Sequence, residues 1–129
     1  MDDPGAKRII SRRGSKRTER ILNASKSSTS IMFSGTAAGH MMPVYTVYKS
    51  SYLYPGWLDG GEKQWRYNRT SSGWFDQVTF EDWFEKIIVP YCKNRVGKKL
   101  IIGDNLASHL SPRVVQMCLE NNITFAFLP

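Results

Sequence analysis

The carboxyl-terminal third of the chain does most to limit what it can fold into. Residues 99–103, "KLIIG", form an apolar run that stops at a glycine, and residues 123–127, "ITFAF", form another. Between them lies one amphipathic stretch. Ser111 suits an N-cap and Pro112 the first helical position, with Leu110 and Val115 spaced as a hydrophobic staple. Val114, Val115, Cys118 and Leu119 supply the buried face, and Asn121-Asn122 closes the segment. A strand, one helix and a second strand call for a parallel pair joined by a right-handed crossover. In open sheets built this way, sites form just beyond the carboxyl ends of the strands. Asp104 stands at that position.

The preceding segment, "TFEDWFEKIIVPYCKNRVG" (residues 79–97), is the clearest helix. Phe80, Trp83, Phe84, Ile87, Ile88 and Tyr91 recur at helical spacing and leave Glu81, Asp82, Glu85 and Lys86 for solvent. Thr79 reads as its N-cap with Asp82 three residues on, Pro90 as a kink or the end of its regular part, and Gly97 as its close. Further upstream, "STSIMFS" (28–34) and "MPVYTVYK" (42–49) flank a glycine-containing turn and predict an antiparallel hairpin. Residues 50–78 are aromatic and glycine-rich, with neither helical nor strand period. They read as a long loop whose aromatics plug the edge of a core or stack on bases. The predicted fold is α/β, a mixed sheet with flanking helices.

Charge divides the chain. Lys7, Arg8, Arg12, Arg13, Lys16, Arg17, Arg20 and Lys26 face Glu19 alone, which accounts for the whole net charge of +7. A basic arm over residues 1–26 on a balanced body, 27–129, favours a polyanion such as DNA, with Lys7, Arg8, Arg12, Arg13, Lys16 and Arg17 as its contacts. The alternative is a solvated arm or a localisation signal. No apolar run approaches the roughly 20 residues of a membrane helix, and no signal segment opens the chain. A soluble intracellular protein without a membrane partner or a small-molecule substrate is expected. Cys92 and Cys118 then read as reduced core thiols; a zinc site with His40 and His109 lacks finger-like spacing.

Asp104 admits three roles: capping its own loop, acting as a base, or holding a divalent cation. A Ser108-His109-Asp104 triad has no nucleophile elbow, and no phosphate-binding glycine loop occurs. Magnesium is the sharper idea, because two such ions straddling a phosphate can activate the attacking oxygen and stabilise the leaving one.

Three segments carry a resemblance: "SIMFSGTAAGHMMPVYTVYKS", "NRTSSGWFDQVTFEDWFEKIIVPY" and "KKLIIGDNLASHLSPRVVQMCLENNITFAFLP". Together they resemble the DDE superfamily endonuclease domain of pogo/Tigger-like transposases, shared with jerky-like and centromere-protein-B-like domesticated genes. The resemblance implies an RNase H-like fold and a nuclear protein that cuts and joins DNA with two Mg²⁺ ions held by three acids. It implies that Asp104 is the second catalytic acid and metal ligand. His109 then matches the histidine of the D-x-x-x-x-H loop, a loop organiser or phosphate neighbour.

The departures are as informative. The family's first acid belongs to a Y-D-E-T-like strand and its third to a Q-P-L-D-like segment, and neither occurs here. Asp2 and Asp3 match the linker after the first motif, and Glu120, the only acid after Asp104, lies on the following helix. The expectation is a domain truncated at both ends, without its first strand and last catalytic helix, with one acid of three and no cleavage by this chain alone. The rival expectation is a domesticated module that binds DNA or a partner without chemistry.

Overall fold

The computed structural model of the protein describes residues 28–104 and 110–128. Its first strand, β1 (Thr29–Met32), pairs antiparallel with β2 (Tyr45–Lys49), Thr29 opposite Tyr48 and Met32 opposite Tyr45. The turn between them is closed by Thr36 N–H donating to the His40 carbonyl at 2.9 Å. The predicted hairpin is present.

The supposed loop of residues 50–78 is not strandless. Arg66–Thr70 forms β3, which lies parallel on β2 with Tyr45 opposite Arg66, so the three strands run in the order β1-β2-β3. "RYNRT" escaped the reading because an edge strand needs little apolar alternation, and only Thr70 of the five is buried. A single 3-10 turn, Pro55–Trp57, interrupts the connection.

A continuous helical rod follows: α1 (Gln77–Trp83), a π-helical turn (Phe84–Ile88) and α2 (Val89–Lys93). Its N-cap is Asp76 rather than Thr79. Asp76 Oδ1 accepts from Thr79 N–H at 2.8 Å, while Thr79 Oγ1 accepts from Asp76 N–H at 2.9 Å. This is a reciprocal capping box with threonine in the usual Glu/Gln place. Pro90 does not end the rod. It lacks the N–H that would reach back to Lys86, and the wide turn before it, closed by Val89 N–H on the Phe84 carbonyl, absorbs the misfit.

The rod presents Phe80, Trp83, Phe84, Ile87 and Ile88 to the core, as its spacing predicts, against Tyr45, Val47, Val114 and Ile123. Full burial of Phe80 and Phe84 contributes about 1.5–3 kcal/mol of transfer free energy each.

The last unit is the predicted one. β4 (Lys99–Gly103) pairs parallel with β5 (Ile123–Phe127) across α3 (Pro112–Glu120), whose N-cap Ser111 accepts from Val114 N–H at 3.2 Å. Asn122 ends the helix in the left-handed region, φ 55°. Val115 and Leu119, expected inside, are exposed; α3 buries only Val114 and Cys118 fully. The mixed α/β class therefore holds, with its strands divided between a three-stranded and a two-stranded sheet.

Candidate functional site

β4 delivers Asp104 to the mouth of a cleft of about 880 Å³. One wall is β4 itself, the opposite wall is the end of β1 with Phe33 and Ser34, and the floor is Trp83, Ile88 and Cys92 from the helical rod. The side chain of Asp104 is exposed, consistent with a residue just past the strand end. Among the described residues that line the cleft it is the only carboxylate. The one lysine there, Lys99, is engaged elsewhere, its Nζ donating to the Asn121 carbonyl at 2.9 Å.

An apolar run such as Leu100 to Ile102 is the pattern of a buried strand, and the structure does not bury it throughout. Leu100 and Ile102 are 61% and 60% exposed, while Ile101 turns towards the core. Two buried polar atoms, Ser34 Oγ and Trp83 Nε1, have no hydrogen-bond partner among the described residues, and both belong to residues that line this cleft. The sequence marks Trp83 only as part of the helix's apolar face and does not mark Ser34. A solitary serine in "MFS" and a tryptophan in a helical stripe carry no signal of it.

A cation held at Asp104 needs more ligands than the described residues supply. No group of three or more His, Cys, Asp or Glu side chains converges among the described residues. Glu120 sits on α3 and accepts from Gln116 Nε2 at 2.8 Å, and it does not line the cleft. One carboxylate cannot place two ions on either side of a phosphate. The described residues therefore do not fit a two-ion centre. His109 and the basic residues Lys7, Arg8, Arg12, Arg13, Lys16 and Arg17 lie outside the described residues. Cys92 and Cys118 are buried free thiols, and burial pushes both above the usual thiol range.

Three aromatics of residues 50–78, Tyr54, Trp57 and Tyr67, gather around Tyr48 of β2. Trp57 packs on Tyr48 at 4.7 Å and on Tyr54 at 4.8 Å between ring centres, and Tyr67 stacks beyond Tyr48. These rings pack on one another yet Tyr54 and Trp57 stay exposed, as do Tyr52, Trp65 and Trp74, and of this segment's aromatics Phe75 is the one that packs against the core among the described residues. Asp82, assigned to solvent by helical period, instead accepts a 2.6 Å hydrogen bond from the phenol of Tyr45.

Among comparisons with known proteins, the family model described as DDE superfamily endonuclease matches residues 25–129. No curated protein and no solved structure matches the chain. No helix among the described residues is long and apolar enough to cross a membrane.

Proposed function

Because the chain belongs to the DDE superfamily endonuclease family, we propose that it is the Asp104-bearing part of a transposon-derived, DNA-acting domain of the pogo/Tigger-like group. We further propose that it acts in the nucleus and does not cut DNA by itself. The observation that carries this reading is the solitary carboxylate. Asp104 stands at the carboxyl end of a parallel strand, where α/β sites form, and no second acid among the described residues lines its cleft. In the complete family domain Mg²⁺ supplies the phosphoryl chemistry. Here Asp104 offers one ligand to such an ion.

The test is nicking of supercoiled plasmid in Mg²⁺. Wild type and Asp104→Asn should be equally inert; Mg²⁺-dependent nicking lost in Asp104→Asn would overturn the inactivity.

DNA association through Lys7, Arg8, Arg12, Arg13, Lys16 and Arg17 is supported by the concentration of charge in residues 7–26. Fluorescence anisotropy with a duplex should show binding that falls steeply with salt, log affinity dropping by about 0.9 per released phosphate contact for each tenfold rise in salt. Neutralising Arg12, Arg13, Lys16 and Arg17 together should abolish it, and unchanged binding would remove the arm from the reading.

The solitary carboxylate equally suits a domesticated module that binds DNA or a partner without chemistry. Sequencing the transcript across both ends of this frame separates the two. In-frame Y-D-E-T-like and Q-P-L-D-like segments favour the endonuclease, and flanking stop codons favour the module.

A further inference from the structure

The body of the chain is balanced in charge by number but not in space. Residues 76–85, which open the helical rod, carry Asp76, Glu81, Asp82 and Glu85 and no cation. Residues 86–99, its second half and the exit into β4, carry Lys86, Lys93, Arg95, Lys98 and Lys99 and no acid.

The two halves also differ in what their charges do. Asp76 caps the rod through Thr79, and Glu81 accepts from Gln77 Nε2 at 3.1 Å. Asp82 accepts from Tyr45, and Glu85 from Arg113 Nη2 at 2.8 Å. Each acid is thus engaged within the fold. Among the described residues, Lys86 is the one cation of the five with a carboxylate within 4.0 Å, and that carboxylate, Glu85, already binds Arg113. Lys99 Nζ donates to the Asn121 carbonyl, and the Arg95 guanidinium lies 4.3 Å over the Tyr91 ring. Lys93 and Lys98 are exposed and make no ion pair among the described residues.

A further cation joins them from β3. Arg66 lines a cleft of about 420 Å³ with Lys86 and Lys93. Glu85 and Glu120 line it too, the first bound by Arg113 and the second by Gln116. The rod's dipole accounts for Lys93 in the last turn, but not for Lys98 beyond the helix or Arg66 on a neighbouring strand.

We propose that this end of the rod is a second DNA-contacting surface. Arg66, Lys86, Lys93, Arg95 and Lys98 hold the phosphate backbone of a duplex, and the arm of residues 7–26 supplies the rest of the affinity. The choice of DNA over another polyanion rests on the DNA-acting reading above. Lys86 and Lys93 stand about 10 Å apart along the rod, which matches about three phosphate steps of one strand. Exposed ammonium and guanidinium groups suit backbone contacts, which position a duplex without reading its sequence. The acids of the rod's first half confine such contacts to the cationic end. That end adjoins the start of β4, about 16 Å along the strand from Asp104, so a duplex held here is positioned rather than brought to that carboxylate.

The experiment is fluorescence anisotropy of a mixed-sequence duplex with the full 129-residue chain, between about 50 and 200 mM salt. Lys86→Gln, Lys93→Gln and Lys98→Gln together should make the salt slope shallower by about 2.7, so this variant loses roughly 40-fold less affinity than wild type over that range. Lys49→Gln, Lys63→Gln and Arg69→Gln together remove the same charge elsewhere and should leave the slope within about 1 of wild type. Acetylation of the wild-type lysines, read by mass spectrometry, needs no variant to fold. The duplex should slow modification of Lys86, Lys93 and Lys98 at least about threefold and leave Lys49 and Lys63 unchanged.

Binding with an unchanged slope in the Lys86 variant, or without shielding of these lysines, overturns the surface and leaves the DNA-acting reading in place. Equal loss of slope in both variants is a general field effect and also overturns it. No binding by wild type overturns the surface and that reading together. Shielding by polyglutamate but not by the duplex identifies an acidic polypeptide as the partner and overturns the assignment to DNA.

Discussion

The phenol of Tyr45 donates a 2.6 Å hydrogen bond to Asp82 Oδ2 and accepts one of 2.8 Å from Asn68 Nδ2. One buried hydroxyl thereby ties the centre of the three-stranded sheet to its β3 edge and to the first turns of the helical rod. Tyr45→Phe keeps the ring's packing but leaves Asp82 and Asn68 each short of a partner. It should cost about 1–3 kcal/mol in urea unfolding.

That bond also makes stability depend on pH at the alkaline end. Burial, the Asp82 hydrogen bond and the Asp82 charge raise the Tyr45 phenol well above its ordinary value. The unfolded chain therefore releases this proton first, near pH 10. Its contribution to stability is fully present below about pH 10 and is lost as pH rises beyond it, by up to about 1.4 kcal/mol per pH unit. Urea melts of wild type and Tyr45→Phe should converge between about pH 10 and 11; parallel curves would remove Tyr45 as the cause.

The capping box at Asp76 and Thr79 starts the element that carries most of the core. Asp76→Ala exposes the first-turn N–H groups and should cost about 1–2 kcal/mol, with Asp76→Asn recovering most of it. Thermal melts followed by circular dichroism would measure both.

Gly73 has φ +78°, and a Cβ there would collide with the Ser28 carbonyl and the Lys49 Cβ. Gly39 has φ +85° but open space around it. Gly39→Ala should cost about 1 kcal/mol from backbone strain alone, and Gly73→Ala roughly 2–3 kcal/mol because β1 or β2 must also shift. Chemical denaturation of the pair separates strain from collision.

Cys92 and Cys118 are 5% and 7% exposed, and burial is the first cause of the raised pKa of each thiol. At neutral pH both should react with a thiol reagent orders of magnitude more slowly in the native chain than in denaturant. Rapid labelling of native Cys92, which lines the Asp104 cleft, would show that the cleft opens.

The strand–helix–strand unit was legible because each signal was local. Ser111 and Pro112 mark the start of α3, Asn122 its end, and two apolar runs flank it. The helix over residues 77–93 was legible by period, but its cap was not. Thr79 and Asp76 are both good caps, and only the bonds decide that Asp76 leads and Thr79 answers. β3 was hidden because its register is set by the neighbouring β2 rather than by its own polar residues. The place of Asp104 at the end of β4 was readable; the exposure of Leu100 and Ile102 was not. Their hydrophobicity anticipates a neighbour that the described residues do not provide.

The π-helical turn has a consequence for sequence length. A turn closed from residue 89 to residue 84 holds one residue more than an α-helical turn. With it, Phe84, Ile87, Ile88 and Val89 are all buried while Pro90 reaches solvent. Removing one residue between 84 and 88 would restore regular winding and keep α1 and α2 in phase with the core. Removing one from α1 or α2 would instead turn every later apolar residue by about 100°. Single-residue deletions in relatives should therefore gather at this turn.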